Sequence, residues 1–160
     1  MPTLFEKIWK GDIPSLPVLR HDTLEVMAIL ANPQETVGQA VIFPKRAVGT
    51  FEELDHGQEQ EMLLATRALA RHMRSVLGVE RVVRHVEGYG VPDHAHTVLV
   101  PSYQRGDSDR IHHPSERLPF EVFAEQCAHV QETLTVPADV IQNELFAHQA
   151  YMQALIEDAT

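Results

Sequence analysis

The segment Gly88-Tyr89-Gly90-Val91-Pro92-Asp93-His94-Ala95-His96-Thr97-Val98-Leu99-Val100-Pro101 decides how this chain is read. Its first five residues, rich in Gly and closed by Pro, form a loop. His94 to Val100 reads as a strand that Pro101 ends. Residues two apart on a strand face the same side. His94, His96 and Val98 therefore share one face, and Ala95, Thr97 and Leu99 share the other. Two neighbouring imidazoles suit three roles. They are polar groups on a solvated face, or a metal-binding pair, or a nucleophile and the residue that orients it. Spacing alone leaves all three open.

Working outward, the sequence predicts a short helix over Thr3 to Lys10, with Leu4, Phe5, Ile8 and Trp9 on one side. Strands are expected over Leu16 to Leu19, Leu24 to Leu30, Gln39 to Phe43 and Val79 to Val86. A long helix falls within Glu52 to Leu77, where Met62, Ala65, Leu69, Met73, Val76 and Leu77 recur at helical spacing and Gly78 stands ready as the C-terminal cap. Tyr103 to Pro114 is a polar loop, and Phe120 to Leu134 is helical. Pro137 suits the first turn of a last helix whose stripe is Ile141, Leu145, Met152, Leu155 and Ile156. Together these give an α+β domain: a mostly antiparallel sheet with packed helices and a C-terminal helical extension.

Three blocks tie this pattern to a known family. Phe5-Glu6-Lys7-Ile8-Trp9-Lys10-Gly11-Asp12-Ile13-Pro14-Ser15, Gly38-Gln39-Ala40-Val41-Ile42-Phe43-Pro44-Lys45-Arg46 and Glu87-Gly88-Tyr89-Gly90-Val91-Pro92 with His94-Ala95-His96 occur in that order. Their order and spacing resemble the bacterial histidine-triad (HIT) proteins, whose triad is His-X-His-X-His. The resemblance implies a HIT-like domain over residues 1–136, with the helix from residue 137 to 160 packed on it.

It also implies a chemistry. Substrates of the family are nucleotide conjugates whose α-phosphorus carries an amine, another nucleotide's phosphate or a sugar phosphate. The middle histidine, His96 here, attacks phosphorus and becomes nucleotidyl-histidine, which water or another acceptor then releases. Imidazole suits both steps, being a good nucleophile near neutral pH and a good leaving group. His94 would be the first triad member, orienting the strand and His96. Phe5, Ile8 and Ile29 would make an apolar slot for the base, with Gln39 and Val98 beside the substrate. The loop before the triad would offer N–H groups to phosphate. The resemblance requires no metal or other cofactor, and it implies a homodimer with the sheet edge and the first long helix as candidate contacts.

Four departures surround the same pocket. Val98 stands where the family carries His or Gln, and Ala31 stands where an Asp usually holds the ribose. Gln39 replaces a His, and Asp93 looks like a one-residue insertion that brings negative charge. They leave two alternatives to the enzyme: a weakened or inactive protein that binds a nucleotide or phosphometabolite, and a metal protein using His94 and His96. His85, His112 and His113 are candidates to replace the missing donor.

Composition narrows the partners. The 160 residues suffice for one domain with a core. A net charge of -10 disfavours nucleic-acid polymers and anionic membranes, though a local pocket of donors still suits a small phosphorylated ligand. Cys127 is the single cysteine, which excludes an internal disulfide and a paired-cysteine zinc site. No apolar run nears the roughly 18 residues of a membrane helix. The opening Met1-Pro2-Thr3-Leu4-Phe5-Glu6 lacks the pattern of a secretory signal, so a cytoplasmic location is expected.

Overall fold

A computed structural model describes residues 1–88 and 93–160. The first helix, α1 (Leu4–Lys10), starts where Thr3 leaves the extended conformation. The Thr3 hydroxyl accepts the Glu6 N–H and the Glu6 carboxylate accepts the Thr3 N–H, so two otherwise orphaned donors are satisfied reciprocally. Gly11, at a φ of 84°, ends the helix in the left-handed conformation that a side chain would strain.

Five strands follow: β1 (Pro17–His21), β2 (Val26–Leu30), β3 (Ala40–Pro44), β4 (Arg81–Glu87) and β5 (His96–Ser102). They form one sheet in the order β1-β2-β3-β5-β4, with every neighbouring pair antiparallel. One face carries Val26, Ala28, Leu30, Ala40, Ile42 and Leu99 into the main core. The opposite face buries Met27, Ile29 and Phe43 against Ile8 and Trp9 of α1.

The main core is closed by α2 (His56–Leu77) and α3 (Phe120–Leu134). The expected long helix starts later than Glu52. Phe51–Glu53 is a separate 3-10 turn, and Asp55 caps α2 by accepting the Gln58 N–H. Met62, Ala65, Leu69 and Met73 are buried as their spacing requires, whereas Val76 is exposed near the Gly78 cap. Phe123, Cys127 and Leu134 are the buried face of α3.

The last helix, α4 (Ala138–Ala159), corrects an expectation. Its first half is anchored: Ile141 is buried, and Glu144 pairs with Arg67 at 2.6 Å and Arg71 at 3.5 Å on α2. Met152, Leu155 and Ile156, expected on a packed stripe, are exposed instead. Helical spacing reports that a face is apolar, not that something covers it. No helix among the described residues is long and apolar enough to cross a membrane.

The deciding strand is also displaced. It begins at His96 rather than His94, because the Ala95 N–H is donated to the Val48 carbonyl at 2.6 Å and leaves the sheet ladder. It runs past Pro101, which occupies a position beyond the last β3 partner, Leu99. A residue without an N–H is tolerated there.

Candidate functional site

Strand register places the side chains. Residues directly opposite on neighbouring strands share a face. Ile29 pairs with Val41, Val41 with Val98, and Val98 with His85. These four residues form one row across the α1 side of the sheet. Beside it, Met27 pairs with Phe43 and His96 with Glu87. Extension of the β3–β5 register puts Phe43 next to His96 in that second row.

A cavity of about 190 Å³ is lined by Phe5, Ile8, Ile29 and Val41, with Ala31 and Arg117 also on its wall. Phe5 joins this cavity to the histidines. Its ring stacks on Phe43 at 4.4 Å between centroids and lies 5.0 Å from the ring of His96. Ala31 brings no side-chain polar atom to the cavity wall.

His96 is partly covered, with 12% of its side-chain surface exposed. Its Nδ1 lies 2.8 Å from the carbonyl oxygen of His94. A carbonyl can only accept, so Nδ1 carries the proton, and the lone pair of the neutral ring sits on Nε2. That nitrogen lies 3.4 Å from a Glu87 carboxylate oxygen. The Glu87 side chain is 44% exposed and has room to swing away.

His94 does different work. It is buried, and its Nε2 donates to the Pro44 carbonyl at 2.8 Å. Its Nδ1 then accepts the Thr3 hydroxyl proton at 2.7 Å. Burial lowers its pKa from the ordinary imidazole value of 6.5, only partly offset by the Pro44 bond. Both nitrogens are therefore occupied in a neutral ring, and the pair offers a metal one available nitrogen rather than two. Among the described residues no group of three or more His, Cys, Asp or Glu side chains is arranged to hold a metal.

The remaining candidates divide. Val98 is buried in the floor of the row, 7% exposed. Gln39 is drawn away: its side-chain carbonyl accepts the Glu35 N–H at 2.9 Å, and it does not line the slot. The turn before β3 takes up its side-chain oxygen. Asp93 is exposed and lines a cleft with Glu52 and Glu53. The carboxylate that meets His96 is Glu87. Sequence reading missed this residue, although the antiparallel pairing of β4 with β5 and strand alternation would have found it. The loop proposed to offer N–H groups, Tyr89 to Pro92, lies outside the described residues. His85 is half-buried, its Nε2 is buried with no hydrogen-bond partner among the described residues, and its ring meets that of His112 edge-on at 6.1 Å. His113 is exposed.

No protein-family model matches the chain, and no curated protein matches it. Solved structures do. A HIT-like protein involved in cell-cycle regulation from Bartonella henselae matches with a TM-score of 0.64 at 16% identity, covering 82% of this chain and 95% of that one. A hypothetical histidine triad nucleotide-binding protein from Sulfolobus tokodaii matches at 0.63 and 14% identity, covering 88% and 93%. A zinc-bound histidine triad family protein from Mycobacterium smegmatis matches at 0.60 and 18% identity, covering 92% and 98%. At these identities the likeness concerns the fold. The five-stranded antiparallel sheet with its packed helices is the one these structures share.

Proposed function

On this histidine-triad fold, we propose a nucleotide-binding hydrolase or nucleotidyl transferase that acts at the α-phosphate of a nucleotide conjugate through a covalent nucleotidyl-His96. The observation that carries it is the 2.8 Å approach of His96 Nδ1 to the His94 carbonyl. With Nδ1–H held by the His94 carbonyl, Nε2 presents its lone pair beside an apolar slot suited to a base. A nucleophile needs that combination of fixed ring, available lone pair and an adjacent place to hold substrate. The Sulfolobus tokodaii match, described as nucleotide-binding, supports the ligand class.

His94 supports the reaction as a positioning residue. Its carbonyl fixes the His96 ring, while its own ring clamps the N-terminus of α1 to the end of β3. In the first step His96 Nε2 attacks phosphorus, the bond to the leaving group breaks, and the leaving group takes the electron pair and a proton. In the second, water attacks phosphorus and the phosphorus–nitrogen bond breaks, restoring His96. The partners in this reading are a small phosphorylated metabolite and a second copy of the chain, in the cytoplasm. Edge strand β4, with Val86 66% exposed, supports pairing between copies. Light scattering giving the mass of a monomer would exclude it.

The test is turnover of adenosine 5′-phosphoramidate, diadenosine polyphosphates and nucleoside-diphosphate sugars, with His96→Ala measured in parallel. The expected result is product from the wild type and a loss of roughly 10³-fold or more in the variant, as for other nucleophile deletions. A variant as active as the wild type sinks the reading. A second reading rests on the apolar Val98 beside the nucleophile: a pocket that binds the nucleotide without turning it over. Calorimetric binding of AMP with no product from any conjugate would select that one.

A further inference from the structure

We propose that His85 is the general acid that protonates the leaving group, in the place where Val98 offers no polar atom; the inference rests on the nucleophilic reading of His96. Once phosphorus has accepted His96, an amine or alkoxide must depart, and it departs poorly without a proton. Something on the same face, within reach of phosphorus, has to supply one. Among the described residues the candidates around His96 are few. Val98 is a hydrocarbon. Glu87 carries negative charge and sits on the nucleophile itself. His94 has both nitrogens engaged.

His85 meets the geometric requirement. It is directly opposite Val98, and His96 is directly opposite Glu87, so His85 and His96 are diagonal neighbours on one face. Diagonal neighbours lie roughly 7 Å apart, about the spacing of residues two apart along a strand. An imidazole at 85 is therefore about as close to His96 as one at 98 would be. It stands at the end of the row Ile29–Val41–Val98–His85, so a conjugate whose base fills the slot directs its phosphorus toward it.

The state of the ring supports the same role. His85 Nε2 is buried with no hydrogen-bond partner among the described residues. An unsatisfied buried donor is costly, and a polar ligand atom arriving there removes that cost. The group over it is the exposed His112, on the 3-10 turn Asp107–His112. A solvent-facing side chain on such a turn can move aside without disturbing the sheet.

The step balances as follows. His96 Nε2 forms a bond to phosphorus, the bond from phosphorus to the leaving atom breaks, and the leaving atom takes the electron pair. The Nε2 proton of protonated His85 passes to that atom. Water then attacks the nucleotidyl-His96 and gives its proton to His85 Nε2, and the electron pair of the broken phosphorus–nitrogen bond returns to His96.

The test compares two AMP conjugates. An alkylamine phosphoramidate needs a proton on its leaving group, and the p-nitrophenyl ester releases a stable anion and does not. His85→Ala is expected to slow the first by ~10²-fold and the second by less than about threefold. His85→Phe, which keeps a ring against His112, should behave the same way and guards against a folding defect. Adding Val98→His to His85→Ala should recover a large part of the lost rate on the alkylamine conjugate. Equal slowing of both conjugates, or no slowing in a protein that His96→Ala inactivates, overturns the role of His85 and leaves that of His96 standing. A wild type that turns over neither conjugate overturns both.

Discussion

Two histidines flank His96, and they are held in opposite ways. On the α1 side, His94 gives both ring nitrogens to the protein, one to Thr3 and one to Pro44, and is buried. On the β4 side, His85 sits on an edge strand with a buried nitrogen that no described group satisfies. The first arrangement maximises stability and leaves nothing for a ligand. The second leaves hydrogen-bonding capacity unspent beside His96. Polar satisfaction thus separates a histidine that builds the site from one available to act in it.

The largest effect should come from the satisfied side. His94→Ala leaves the Thr3 hydroxyl without its acceptor and the Pro44 carbonyl without its donor, and opens a hole beside Phe5 and Phe43. We expect a loss of about 3 kcal/mol in a denaturant titration, against less than about 1 kcal/mol for His85→Ala. Equal losses would break the comparison. The same burial gives a pH signature. The pKa of His94 is lowered in the folded state, so the unfolded chain binds the proton more readily. Its contribution is fully present above the unfolded value near 6.5 and is lost as pH falls below it. His72, also lowered by burial, adds in the same direction. Stability should therefore fall as pH drops below about 6.5, and the His94→Ala protein should show a shallower decline.

A smaller effect is expected one bond away. Thr3→Val removes the hydroxyl that both caps α1 and donates to His94. The cap and the buried bond together suggest a loss of about 1–2 kcal/mol. Because α1 carries Phe5 and Ile8 to the slot, AMP affinity measured by calorimetry should fall with it. Unchanged affinity in a destabilised Thr3→Val protein would mean that the slot does not depend on this clamp.

The difference between the two sides also marks what a sequence can disclose. Alternation along residues 94–100 placed His96 and Val98 on one face, and the family resemblance named Phe5, Ile8 and Ile29, which line one cavity. Gly78 was legible as a cap because only a residue at ease with positive φ suits that position. What escaped depends on partners distant in the chain. The start of β5 is set by the Val48 carbonyl, and the fate of the Gln39 amide by the Glu35 N–H. The Thr3–His94 bond spans 91 residues. The exposed end of α4 escaped for a related reason, since an apolar stripe carries no record of whether a partner lies against it.

Glu87 gives the smallest stability change, and its functional effect is read in KM. It meets His96 from the exposed side. The carboxylate lies against Nε2, the atom proposed to attack, and it repels an incoming phosphate, so it must swing aside for substrate to bind. A charge that is nearly half exposed interacts weakly, so Glu87→Gln should change stability by less than about 0.5 kcal/mol. Phosphate approach is another matter, because a bound substrate displaces water and strengthens the repulsion that remains. KM for an anionic conjugate should therefore fall severalfold in Glu87→Gln, by more at low than at high ionic strength. A KM that rises instead would assign Glu87 a productive contact with substrate. The unsatisfied side of the site would then depend on a carboxylate as well as on His85.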